Sequence, residues 1–359
     1  MFRRRAVLGG IAALPLVPLA RAAEPSLAAL AEKTGRYFGS ALATDALDGG
    51  NAYGRLLSDE CDVFVPEWQL KWGALMPDIG SNHDFSSVDR IVEAAQSAGK
   101  RLRGHTLLWH EHLPTGIAEL SGAKSWDDVV VPHFETVLNH YPDQFFQWDV
   151  VNEAIEPRDG QPGSMRDTPF YRMLGEDYVV EAFRLAHALA PQARLYLNDY
   201  NVCYDEAWQQ DRRSGILRLV ERLLEQDVPL HGFGIQGHLD TRFAFDDRVF
   251  SQFLETLAGF GLELSVTELD VREADEAAGL DIAQRQQRSA DEVQKVLSVA
   301  LDQPALTGVT TWGLADSASW LRTARDLPDN QGLPYDAQLN PTPMRGALAA
   351  LFAGAVQHG

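Results

Sequence analysis

Cysteine is nearly absent from this chain. Its 359 residues hold only Cys61 and Cys203, too few for a disulfide-stapled scaffold. The two lie on different predicted strands, so no structural bridge is expected between them. No Cys/His cluster has zinc-ligand spacing, and the His110-x-His112 pair has no evident third ligand. Positive charge is also scarce: 31 Lys and Arg against 51 Asp and Glu give a formal charge of −20. That balance disfavours nucleic acid and anionic membrane as partners. No Gly-rich phosphate loop follows the first predicted strand, which argues against an open dinucleotide-binding sheet. No low-complexity linker or shift in composition divides the chain beyond its first residues.

Those first residues read as a targeting segment. Arg3-Arg4-Arg5 precedes an apolar run, Ala6 to Ala20, interrupted by Pro15 and Pro18, and Ala20-Arg21-Ala22 fits a signal peptidase. The run is short for a membrane span. The consecutive arginines resemble a twin-arginine signal, although no Ser or Thr precedes them and a Sec signal stays open. Residues 1–22 are therefore expected to be a signal peptide, and residues 23–359 the exported domain of a bacterial periplasmic or extracellular protein. Removing the segment takes away four arginines and no acids, so the exported chain is more acidic still.

The rest of the chain repeats one unit: a short β-branched or aromatic run, a polar cluster at its end, then an amphipathic stretch. The runs are Arg36 to Leu42, Cys61 to Pro66, Arg101 to Trp109, Phe145 to Val151, Arg194 to Leu197, Gly232 to Gln236, Leu262 to Thr267 and Gly308 to Trp312. Val88, Ile91, Val92 and Ala95 share one helical face before a stop at Gly99, and Ile216, Leu219, Val220, Leu223 and Leu224 repeat the pattern before Pro229. Eight runs alternating with helices predict an α/β fold, a single (β/α)8 TIM barrel. Barrel enzymes keep their chemistry on the loops after the strands. Here those ends offer Glu67 and Lys71, His105 and Trp109, Asn152 and Glu153, Asn198 and Tyr200, Gln236 and His238, Glu268 and Asp270, then Trp312 and Trp320.

Glu153 and Glu268 each close an apolar run, the first on strand four and the second on strand seven, and are expected to face each other across the barrel mouth. Paired carboxylates flanking a bond suit glycoside hydrolysis. His238 and Asp270 would hold Glu268 ionised and aimed, which suits a nucleophile. Desolvation and the opposing anion would raise the proton affinity of Glu153, which suits an acid/base. Trp72, Trp109, Trp312 and Trp320 could offer faces to sugar rings, with Lys71, His105, Asn152 and Gln236 as hydroxyl partners. A non-hydrolytic periplasmic sugar-binding protein is the competing reading, against which the two supported carboxylates weigh.

Five segments carry a resemblance: Arg103-Gly104-His105-Thr106-Leu107-Leu108-Trp109-His110, Trp148-Asp149-Val150-Val151-Asn152-Glu153-Ala154, Leu197-Asn198-Asp199-Tyr200-Asn201, Gly234-Ile235-Gln236-Gly237-His238-Leu239 and Thr267-Glu268-Leu269-Asp270-Val271. Their order and spacing, from Leu27 to about Leu351, resemble glycoside hydrolase family 10, the retaining endo-β-1,4-xylanases. The resemblance implies a barrel without a cofactor, acting on xylan or xylo-oligosaccharides, with Glu153 as acid/base and Glu268 as nucleophile. It also implies sugar contacts by Glu67, Lys71, His105, Trp109, Asn152, Gln236, His238, Trp312 and Trp320. Asn198 and Tyr200, at the end of the fifth run, are expected to bind substrate beside them. A retaining enzyme would hold its carboxyl groups about 5–5.5 Å apart, against about 6.5–9.5 Å for an inverting one. A monomer is expected, with a polysaccharide or oligosaccharide as partner and no membrane contact after signal removal.

The departures from the family pattern gather on the glycone side. Trp68 stands where an asparagine is usual, and His112 where a glutamine is usual; Gly116 and Gly237 replace Trp and Ser. Trp68 and His112 change volume and hydrogen bonding together, so the sugar site beyond the cleavage-proximal glycone ring is expected to be reshaped, for a decorated or different glycan or for shorter chains. Digestion of linear xylohexaose should then give product lengths unlike those of unmodified family members. The usual pattern would mean that neighbouring side chains restore the lost contacts.

Overall fold

The computed structural model describes residues 24–274, 279–323, 325 and 327–358; the expected signal segment, residues 1–22, lies outside them. Among the described residues nine strands form in this order: β1 (Tyr37–Leu42), β2 (Val63–Pro66), β3 (Arg101–Leu108), β4 (Phe145–Asn152), β5 (Arg194–Asp199), β6 (Gly232–Ile235), β7 (His238–Asp240), β8 (Glu263–Arg272) and β9 (Leu306–Thr311). Neighbours pair in parallel from β1 to β6, then β6 with β8, β8 with β9, and β9 back with β1. Eight strands therefore close a barrel with helices between them, as the alternating pattern predicts. β1, β2 and β6 are buried at every residue, as expected where one face meets the barrel interior and the other a layer of helices.

The helices follow the periodicity. Ser86–Ser97 buries Val88, Ile91, Val92 and Ala95, and Gly99 ends it at φ 65°, a left-handed value that glycine adopts without a Cβ penalty. Covering Val88, Ile91 and Val92 is worth about 1.5–3 kcal/mol for each side chain. Ala207–Glu225 buries Ile216, Leu219, Val220 and Leu223, and the chain turns at Asp227, φ 53°, before Pro229 is reached.

Several strand boundaries differ from expectation: β2 begins at Val63 rather than Cys61, and β5 runs on to Asp199 rather than ending at Leu197. β9 begins at Leu306 rather than Gly308, and β8 runs on past Thr267 to Arg272. The polar residues that look like the end of β8 alternate with Leu269 and Val271, both fully buried. The strand continues with one face on the core and the other on the barrel mouth. The short β7 pairs with this extension, placing His238 opposite Asp270 and Asp240 opposite Arg272.

The barrel interior is polar along much of its length. Tyr37 Oη lies 2.6 Å from Ser265 Oγ and 3.3 Å from Gln147 Oε1. Above them Arg103 and Asp149 form an ion pair in which neither side chain is exposed. On the outer face the ring of Trp148 lies across Gly104: a Cβ there would sit 2.2 Å from Trp148 Cε3. Gly104→Ala is therefore expected to cost about 1–3 kcal/mol or more through overpacking, read as a lower urea midpoint with an unchanged m-value.

Candidate active site

Asn152 is the last residue of β4, and Glu153 leaves the strand at φ 57°. That left-handed backbone costs a non-glycine residue about 1–2 kcal/mol, and β5 holds it through Glu153 N–H to Asn198 O, 2.8 Å. Glu268 lies within β8, its N–H bonded to Gln236 O at 2.6 Å. Both carboxylates line one cavity of about 720 Å³ at the C-terminal mouth of the barrel.

A chain of amides joins the two. Gln236 Nε2 donates to Glu153 Oε1 at 3.0 Å and to Asn152 Oδ1 at 3.2 Å. Asn198 Nδ2 donates to Asn152 Oδ1 at 2.9 Å and to Glu268 Oε1 at 2.7 Å, while its own Oδ1 accepts from Thr267 Oγ1 at 2.8 Å. Asn198 was expected among the sugar contacts. Instead it is fully buried beneath the cavity with its amide hydrogens committed, so it serves the carboxylates rather than a ligand.

The two glutamates are held in opposite protonation states. Burial pushes Glu153 up to about 7, against the bond from Gln236, and the anion that adds to the rise is Asp199 rather than the opposing glutamate. Burial also penalises the charged form of Glu268, but the His105 and His238 imidazoles and the Asn198 amide outweigh it and hold its carboxyl at about 2. His238 keeps its proton up to about 10: burial opposes the charge, and Asp270 at 2.9 Å with Glu268 at 3.2 Å more than offsets that. Beside Glu153, His110 Nδ1 stands 3.8 Å from Oε2, and burial with Arg166 nearby drops this imidazole to about 3.

Most of the expected ligand-facing residues meet in this cavity. Glu67, Lys71, His105, Trp109, His112, Tyr200, Gln236, His238, Trp312 and Trp320 are all in its wall. Lys71 Nζ sits 4.5 Å from the Trp109 ring centre and 5.9 Å from that of Trp312. Burial raises Glu67 to about 7, with Lys71 pulling it back. Trp320 Nε1 donates to Asp270 Oδ2 at 2.6 Å, which ties a ring of the wall to the support of Glu268. Trp68 is 51% exposed at the rim. His112 stacks on Trp109 at 5.4 Å, with its backbone at φ 49°. Gly237 has φ 79°, and a Cβ there would stand 2.9 Å from Val266 Cγ1, so this backbone favours glycine over the serine usual in the family.

Trp72 does not join the other rings. It is buried, stacked on His133 at 3.9 Å and on Phe170 at 6.2 Å, so it is core and not a sugar platform. Behind the carboxylates lies a layer that the pattern of strand ends does not predict. Asp149 takes Arg103 and, at 2.9 Å, His105 Nδ1. Arg166 Nε donates to Glu153 O at 2.8 Å and its Nη2 to Tyr200 Oη at 3.0 Å. Arg212 bonds Glu156 at 2.8 Å and Asp199 at 3.3 Å. Arg103 lies two residues before His105 on the same strand face, a signal that was available; Arg166, on a loop, has no such local mark. Among the described residues no group of three or more His, Cys, Asp or Glu is arranged to hold a metal, and His110 and His112 face different neighbours.

A barrel mouth that pairs a proton-holding carboxyl with an ionised one, ringed by indoles and amides, defines the class as a carbohydrate-active hydrolase. Residues 26–351 match the model of Glycosyl hydrolase family 10. Endo-1,4-beta-xylanase B of Paenibacillus barcinonensis is 34% identical over 306 residues, 80% of this chain and 88% of that protein. Endo-1,4-beta-xylanase 1 of Humicola insolens is 32% identical over 335 residues, 92% and 75%. Native xylanase 10B of Thermotoga maritima superposes with a TM-score of 0.81 at 29% identity, covering 91% of this chain and 98% of that one. The chain belongs to glycosyl hydrolase family 10. The Thermotoga petrophila xylanase 10B, TM-score 0.82 and 28% identical over 93% of this chain and 98% of its own, was solved with xylobiose bound.

Replacing His238 with Asn removes a cation and a hydrogen bond from Glu268. The Glu268 carboxyl is expected to rise by about 1–3 pH units, followed by NMR titration of carboxyl-labelled glutamate.

Proposed function

We propose that this protein is a retaining endo-β-1,4-xylanase in which Glu153 is the acid/base and Glu268 the nucleophile. The observation that carries the reading is the contrast within one cavity: Glu153 held near 7 by burial and Glu268 held near 2 by its neighbours. At neutral to mildly acidic pH a protonated carboxyl and a carboxylate then coexist, as a double displacement requires. Glu153 protonates the glycosidic oxygen while Glu268 attacks the anomeric carbon, giving a glycosyl-enzyme and a freed chain. Glu153, now deprotonated, takes a proton from water, which attacks the same carbon and releases Glu268. His238 and Asp270 keep the leaving carboxylate of the second step stabilised. The amides of Asn152 and Gln236 and the faces of Trp109, Trp312 and Trp320 orient the sugar.

Membership of the family and the substrates named for its relatives support xylan as the glycan. A second reading keeps the mechanism and changes the glycan to a different or decorated β-linked chain; the exposed Trp68 and the stacked His112 at the rim favour it. We further infer that residues 1–22 direct export, by the twin-arginine or the Sec route, and that residues 23–359 act as a single monomeric domain in the periplasm or outside the cell. Among the described residues no helix is long and apolar enough to cross a membrane.

Glu268→Ala is expected to lower kcat on xylan by about a thousandfold or more while xylo-oligosaccharide binding persists; unchanged behaviour would favour a sugar-binding protein instead. The pH profile gives an independent check. Because Glu153 acts protonated and Glu268 ionised, kcat/KM should fall as pH rises through about 7 and hold down to about 2 for as long as the protein stays folded.

A further inference from the structure

The extension of β8 carries more than the support for Glu268. Side chains two apart share a strand face, and Glu268, Asp270 and Arg272 all line the cavity while Leu269 and Val271 point into the core. With a rise of about 3.3 Å per residue, Arg272 lies about 13 Å further out along the strand than Glu268, beyond the ring at the cleavage point. Its guanidinium makes no hydrogen bond or ion pair among the described residues. Arg325, exposed, lies in the wall of the same cavity, 4.9 Å over the ring of Trp320.

Among the described residues, the two acids that line the cavity beside Arg272 are already engaged. Asp240, opposite Arg272 in the β7–β8 register, accepts two bonds from Arg242 Nε at 2.9 and 3.0 Å. Asp270 accepts from His238 and Trp320. A chain with a formal charge of −20 repels anions in general, so two arginines in a substrate cleft that have no acidic partner among the described residues stand out as donors left for a ligand. Guanidinium is a planar donor that matches a carboxylate in two parallel bonds. Neutral xylose offers no group for which that geometry is required.

We propose that Arg272, with Arg325 beside it, receives the carboxylate of a uronosyl group borne by the glycan, so that the preferred substrate is an acidic, uronosyl-substituted xylan. This rests on the xylanase reading above and names the class of decoration that the cleft accepts.

The test compares three xylo-oligosaccharides of equal length: a linear one, one with a single uronosyl branch, and the same branched one with its carboxyl reduced to an alcohol. The wild-type enzyme should prefer the acidic form over the reduced form, and high salt should shrink the preference. In Arg272→Met the ratio of kcat/KM for acidic over reduced substrate should fall about tenfold, the scale of a charge-assisted hydrogen bond. Arg325→Ala should lower the same ratio by less. Because the ratio is taken within one preparation, partial misfolding of a variant cancels. A wild-type enzyme that cleaves the linear chain but does not distinguish acidic from reduced, or an Arg272→Met that keeps the ratio, overturns this proposal alone. Failure on all three substrates overturns the xylanase reading and this proposal with it.

Discussion

The ion pair between Arg103 and Asp149, sealed inside the barrel, is the constraint from which the site is built. Charges taken out of water cost several kcal/mol each unless geometry and further bonds repay them. Here Asp149 uses its second oxygen for His105 Nδ1 at 2.9 Å, and that same ring nitrogen is 3.9 Å from Glu268. Arg103 thus fixes Asp149, Asp149 fixes the imidazole, and the imidazole sets the field at a carboxylate on a strand across the barrel. The rotamers are fixed before a ligand arrives, which is the condition under which dipoles act on developing charge without reorganising.

Around that post the protein divides its two glutamates by surroundings and not by residue type. Both are buried, and burial alone would neutralise both. Glu268 escapes because three elements, β3, β5 and β7, each bring a hydrogen-bonding or cationic partner to it. Glu153 receives Gln236 and a weakly placed Asn152 at 3.4 Å, with the acid Asp199 behind it, so its proton is held. The shared amides mean that neither carboxyl is independent: moving Asn152 or Asn198 would disturb both.

Much of this was readable before any coordinates. Inward-facing residues at strand ends follow from the run-and-helix pattern, and a polar residue closing an apolar run is visible by eye, as at Asn152 and Glu153. The misreadings have a common cause. Trp72 lies six residues past the end of β2, close enough in sequence to count as rim, but a turn of helix, Trp72–Leu75, directs it into the core against His133. Asn198 sits at a strand end as expected, yet its direction, down onto Glu268 and not up into the cavity, depends on Thr267 and Asn152 from other strands. The β8 extension looked like loop because its polar half faces the barrel mouth, where polarity has another use.

What the linear order determined was therefore the eight strands of the barrel, their parallel sense and the identity of the groups delivered to one rim, because hydrophobic periodicity is a local property. What only the closed barrel decided was how those groups act on one another. Protonation state, the role of Asp199 behind Glu153, the burial of Trp72 and the lack of a partner for the Arg272 guanidinium among the described residues all depend on distances between residues tens to hundreds of positions apart. Electrostatic and packing energies fall with distance in space, and the sequence records only distance along the chain.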